Sequence, residues 1–191
     1  MNHGGNIIKT YSEIASGRSD FATSPYYFYL YTAQTEEKYS VDLNSYSIYY
    51  LSGSEPIKVD GQELNPGDTL QVEKFDHGLE FPSSQTRILV AGISDSQSDE
   101  SKLEITRAAD IKKVTKPWGH ELWINGEHPA YAFKQLYIKA GTKTSLQYHE
   151  VKRETNVLFS CKGRLHFSPD NLTEASNLST VDFDPITAID V

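Results

Sequence analysis

Gln147, His149 and Glu154 are the residues whose types and spacing point most directly to chemistry. Side chains two apart on a strand share a face. An amide oxygen from Gln147 and an imidazole from His149 would therefore converge on one point if that face lines a cavity. Glu154 stands five residues beyond His149 and on an unbroken strand would face the other way. The run Val151-Lys152-Arg153 permits a turn that would bring Glu154 back to the same cavity. Gln, His and Glu are hard or borderline donors, suited to a divalent metal such as Zn, Mn, Fe or Ni. The competing reading is of polar groups that are hydrogen-bonded or simply solvated. Lys143 is either a point charge for a sugar phosphate or an exposed lysine at a strand end. Trp118 and Trp123 could stack on a sugar or pack into a core. Asp76-His77 has nothing converging on it and reads as a loop pair. The Tyr26–Tyr31 cluster could wall a ligand or anchor a dimer, although half of those rings must face a core.

The elements that must position these residues read as short strands. Tyr26–Thr32, Lys38–Leu43, Tyr46–Leu51, Ile57–Val59, Leu70–Phe75 and Arg87–Ile93 are rich in aromatic and β-branched residues. Asp60-Gly61 is a hairpin turn and Pro66-Gly67-Asp68 a second turn. Ser94–Lys102 holds no apolar residue and reads as a linker. Beyond it, Ile105–Val114 is a short helix or an extended lead-in. Strands are expected at Glu121–Ile124, Ala130–Lys139, Ser145–His149, Asn156–Ser160 and Arg164–Phe167, with Asn125-Gly126 as a turn. Many short strands, close turn signals and no long helix describe an all-β sandwich or barrel. The arrangement strand, Gly break, strand recurs at Ser47–Val59 and at Asn156–Phe167, a weak internal echo that suggests duplication.

One stretch is more specific. Lys116-Pro117-Trp118-Gly119 is followed by Gly141-Thr142-Lys143-Thr144-Ser145-Leu146-Gln147-Tyr148-His149 and by Arg153-Glu154. Residues 115–167 resemble the cupin domain of type II mannose-6-phosphate isomerases, also fused to mannose-1-phosphate guanylyltransferases. The resemblance implies two tandem cupin (jelly-roll) barrels, the second incomplete at the C-terminus. It implies a segmentation of 1–24 as an N-terminal extension, 25–93 as a metal-free barrel, 94–104 as a linker and 105–191 as the second domain. It also implies Gln147, His149 and Glu154 as metal ligands, with Lys143 and Trp118 toward the substrate and the catalytic base unassigned. The chain departs from the family at Val151 and Thr155, where a histidine is frequent. The later strands with a fourth histidine have no counterpart before Val191.

Composition bounds the partners. A net charge of -8 speaks against nucleic acid and anionic membranes. No apolar stretch is long enough to span a membrane, and no signal peptide is visible at the N-terminus. Cys161 is the single cysteine, which fits a reducing, cytoplasmic setting. Two functions follow as expectations. One is a metal-dependent sugar-phosphate isomerase of nucleotide-sugar or polysaccharide metabolism. The other is a non-catalytic bicupin that binds a carbohydrate or serves as an oligomeric scaffold. Unpaired strand edges in a broken barrel predict a homodimer, or a strand donated by the segment before Pro25.

Overall fold

Residues 45–52 alternate between two environments. Tyr46, Ile48 and Tyr50 face one side, Ser45 and Ser47 the other, and all five are buried. A strand buried on both faces needs a covering layer on each. The computed structural model describes residues 7–10, 17–74, 78–82, 85–95, 100–147, 151–168 and 178–190, with backbone only at 7–10 and 190. Every regular element among them is a strand.

In chain order these are β1 (Ile7–Thr10), β2 (Gly17–Ala22), β3 (Tyr26–Ala33), β4 (Glu37–Ser40), β5 (Ser45–Ser52) and β6 (Ile57–Val59). Next come β7 (Gln62–Leu64), β8 (Thr69–Glu73), β9 (Gly78–Phe81), β10 (Thr86–Ile93), β11 (Lys102–Thr106) and β12 (Lys113–Lys116). The last are β13 (Gly119–Trp123), β14 (Lys134–Ile138), β15 (Thr155–Leu158), β16 (Gly163–Phe167), β17 (Ser179–Phe183) and β18 (Thr187–Asp190). Among the described residues no helix is long and apolar enough to cross a membrane.

The chain divides into two compact units, residues 15–144 and residues 1–14 with 145–191. In the larger unit a six-stranded antiparallel sheet, β11-β8-β5-β10-β3-β2, faces a four-stranded sheet, β4-β9-β6-β7. Between them lies one apolar core, in which Tyr29, Tyr46, Ile48 and Tyr50 meet Ile57, Val59, Leu79 and Phe81. The β6–β7 hairpin turns at Asp60 and Gly61, with φ of 49° and 73°. This is the left-handed backbone that an Asp-Gly pair tolerates at little cost. A third sheet, β12-β13-β14, belongs to the same unit. The smaller unit holds the sheet β1-β18-β15 and the hairpin β16-β17. There the segment before Pro25 does contribute a strand, β1, which pairs with β18 from Ile7↔Asp190 to Thr10↔Thr187.

The units differ from the expected segmentation. Residues 17–22 form the edge strand β2 beside β3, with Phe21 buried. Residues 102–106 form β11, which extends the same sheet beyond β8 and packs Leu103 and Ile105 against the core. The Ser- and acid-rich run thus separates two strands of one sheet, β10 and β11. Low apolar content marks exposure, and an exposed loop and a domain boundary share that composition.

Candidate functional site

Gln147 is exposed and lies outside any strand. The strand expected over Ser145–His149 is not formed at residues 145–147, and His149 and Tyr148 lie outside the described residues. Gln147 is thus not held on a strand, and its expected partner His149 is outside the described residues. The cause lies just upstream. Thr142 N donates to Lys139 O (3.1 Å), and Thr142 Oγ1 donates to the same carbonyl (2.6 Å), closing a tight turn with Gly141 at φ 75°. Residues 142–147 leave that turn exposed, with no neighbouring strand in the described structure to hold them extended. Glu154 is half-buried ahead of β15 and is ion-paired with Lys152. Among the described residues no group of three His, Cys, Asp or Glu side chains is placed to hold a metal.

The Trp118 turn and the Gly141 turn do meet. Trp118 O accepts from Lys139 N at 2.8 Å and from Thr142 Oγ1 at 3.2 Å. Gly119 has φ 152°, and a Cβ there would fall 1.8 Å from Tyr137 O, so this position requires glycine. Trp118 is half-buried and Lys143 exposed. Trp123 is covered by Lys112 and Lys134, whose ammonium groups lie 4.2 and 4.0 Å from its ring centre. Its Nε1 donates to Glu121 at 3.1 Å. That ring is already in use on the surface of its own sheet. Asp76-His77 lies outside the described residues.

Two further clusters stand out, the first built in part from the Tyr26–Tyr31 run. The first lines the edge of the large unit where β2 and β4 end the two facing sheets. Tyr31 and Tyr39 stack with centres 3.9 Å apart, and Tyr31 Oη donates to Glu37 at 3.0 Å. Tyr39 Oη donates to Tyr29 Oη at 3.1 Å, and the Arg18 guanidinium sits 4.0 Å from the Tyr29 ring centre while it pairs with Asp20 at 2.7 Å. Burial, reinforced by Glu37, pushes the Tyr31 phenol up to about 12. Burial also raises Tyr29 and Tyr39. All three phenols are neutral at pH 7 and serve as hydroxyl donors and acceptors. Tyr29 and Tyr31 come from the Tyr26–Tyr31 run, and their partners Arg18, Asp20, Glu37 and Tyr39 come from β2 and β4.

The second cluster lies on the outer face of the six-stranded sheet, beneath residues 125–133. Ser45 Oγ donates to Glu73 Oε1 (2.8 Å), and His128 Nε2 lies 2.8 Å from the same oxygen. His128 Nδ1 accepts from Ala130 N at 3.2 Å, which puts the ring proton on Nε2, toward the carboxylate. Tyr131 Oη bonds Ser47 Oγ at 2.9 Å, and burial pushes its phenol up to about 12. Ser, His and Glu meet here without forming a nucleophile relay. A relay places the base between serine and acid through its two ring nitrogens. In this cluster Ser45 Oγ and His128 Nε2, themselves 3.4 Å apart, both address one carboxylate oxygen, and the other ring nitrogen is taken by backbone. The cluster fastens residues 125–133 to the sheet. Its signal in the sequence is the alternation Ser45, Ser47 within a run of large aromatics, which marks a second covered face.

No family model matches the chain, and no curated protein matches its sequence. Among solved structures it is similar to protein YlbA from E. coli, of the DUF861 family. The superposition has a TM-score of 0.61 at 12% identity and covers 99% of this chain and 83% of that one. The fold is cupin-like. In cupin-like terms, the barrel of residues 15–144 is filled by its own tyrosine and aliphatic side chains. Its polar groups gather at the sheet edge and on the outer face.

Proposed function

We propose that the chain is a non-catalytic cupin-like protein, built from two related β units, that binds a small carbohydrate at the Tyr31–Tyr39 edge. The carrying observation is the stacked tyrosine pair flanked by Arg18, Asp20 and Glu37. An aromatic face accepts the apolar side of a sugar ring, and a guanidinium with two carboxylates can order its hydroxyls. The filled barrel supports a surface site over an interior one. A cytoplasmic location belongs to the same proposal, supported by the single cysteine. The test is calorimetric titration with a panel of monosaccharides and their phosphates against wild type, Arg18→Ala and Glu37→Gln. Binding that weakens in both variants, with unchanged thermal unfolding, is expected. Failure of every sugar to bind, or wild-type binding by both variants, rejects the reading.

A second reading is a sugar-phosphate isomerase with a divalent metal on Gln147, His149 and Glu154. It is favoured by the hydrogen bonds that join the Trp118 and Gly141 turns, since these carry the family resemblance. The described part of the ligand set does not fit, with Gln147 exposed and Glu154 engaged by Lys152, so no step is derived through a metal. Elemental analysis with a mannose 6-phosphate isomerisation assay decides it. Stoichiometric metal with turnover, both lost in His149→Ala, would establish this reading over the first.

A further inference from the structure

The terminal strands of the large unit are guarded by charge, with one exception. β2 carries Arg18 and Asp20, and β4 carries Glu37 and Lys38. β7 carries Glu63, β11 carries Lys102 and Glu104, and β12 carries Lys113 and Lys116. Charged side chains on an edge strand discourage pairing with another chain. β14 ends the sheet β12-β13-β14 and presents Leu136, Tyr137 and Ile138 at 44, 57 and 47% exposure. Its one charge, Lys134, is turned back over Trp123 (4.0 Å) and toward Glu121 Oε2 (3.7 Å). Successive strand residues point to opposite faces, so the exposed apolar groups occupy both faces of this edge. Exposed apolar strands of this kind are templates for strand addition.

We infer that β14 pairs with β14 of a second copy, antiparallel and two-fold symmetric about Leu136. The sequence Lys134-Gln135-Leu136-Tyr137-Ile138 is compatible with itself in that register. Leu136 meets Leu136, Gln135 meets Tyr137, and Lys134 lays its aliphatic stem on Ile138. Extending the register sets Lys139 opposite Phe133, so no lysine faces a lysine. A two-fold interface uses the same patch on both copies and closes on itself. This pairing is independent of the carbohydrate and metal readings, since none of its residues belongs to either site.

Sedimentation velocity of the 191-residue chain over a wide concentration range tests it. Wild type should sediment as a dimer. Leu136→Lys and Leu136→Glu each put like charges face to face at the two-fold axis and should weaken the dimer roughly tenfold or more. Mixing the two variants should restore a heterodimer, which also reports that both are folded. A wild-type monomer at all concentrations overturns the inference. So does a dimer indifferent to both variants, or a mixture that stays monomeric.

Discussion

His128 Nε2 lies 2.8 Å from Glu73 Oε1, and both side chains are almost wholly buried, at 6 and 7% exposure. The pair joins the 125–133 segment to β8 across a layer with little water. Removing the imidazole takes one donor from a buried carboxylate, a loss of about 2–3 kcal/mol. His128→Ala should lose about that much in urea unfolding. Glu73→Gln keeps an acceptor for Ser45 and should lose only about 1 kcal/mol. Equal losses in the two variants would show that the carboxylate charge is not what the histidine satisfies.

Much of the large unit was legible because local chemistry and tertiary demand agree there. The aromatic run at Tyr26 becomes β3, and Ile57–Val59 becomes β6 with its Asp60-Gly61 turn where expected. The failures occur where the same local pattern serves another purpose. Ala130–Lys139 reads as one strand, yet only Lys134–Ile138 pairs. Asn125 holds the preceding residues as a cover, accepting from Phe133 N and donating to Tyr131 O, both at 2.9 Å. Tyr131 and Phe133 alternate as in a strand because both face the same sheet surface, where Phe133 meets Phe28 edge-on at 5.6 Å. The candidate metal site was less legible. Spacing places Gln147 and His149 on one face only if a neighbouring strand holds residues 145–149 extended, and alternation within a segment carries no information about its neighbour.

Gly119 makes the Trp118 turn testable. An alanine at φ 152° is strained, and its Cβ would overlap Tyr137 O. Gly119→Ala should cost at least about 1–3 kcal/mol. The loss should be local, with amide exchange of residues 134–138 accelerating more than that of β5. Uniform acceleration across both sheets would mean that β13–β14 pairing is no weaker a unit than the central sheet.

The Asp68 carboxylate gives the fold an acid limit. Burial works to raise its pKa, but Asn65 N–H, Arg107 and Ala108 N–H outweigh this and hold it below the ordinary carboxylate value. The bonds are short: Arg107 Nη1 at 2.7 Å, Ala108 N at 2.9 Å and Asn65 N at 3.0 Å. Together they tie the Pro66–Asp68 turn to the chain leaving β11. A depressed folded pKa means that the unfolded state binds the proton first. The stabilisation is therefore complete above the unfolded value of about 4 and fades as pH falls through the lower folded value. Asp68→Asn offers one acceptor to three donors and should lose about 2 kcal/mol at pH 7. At strongly acid pH the variant and wild type should converge. Urea midpoints measured from pH 7 downward check this, and a gap that stays constant to low pH would show that the ionised carboxylate is not what holds the turn.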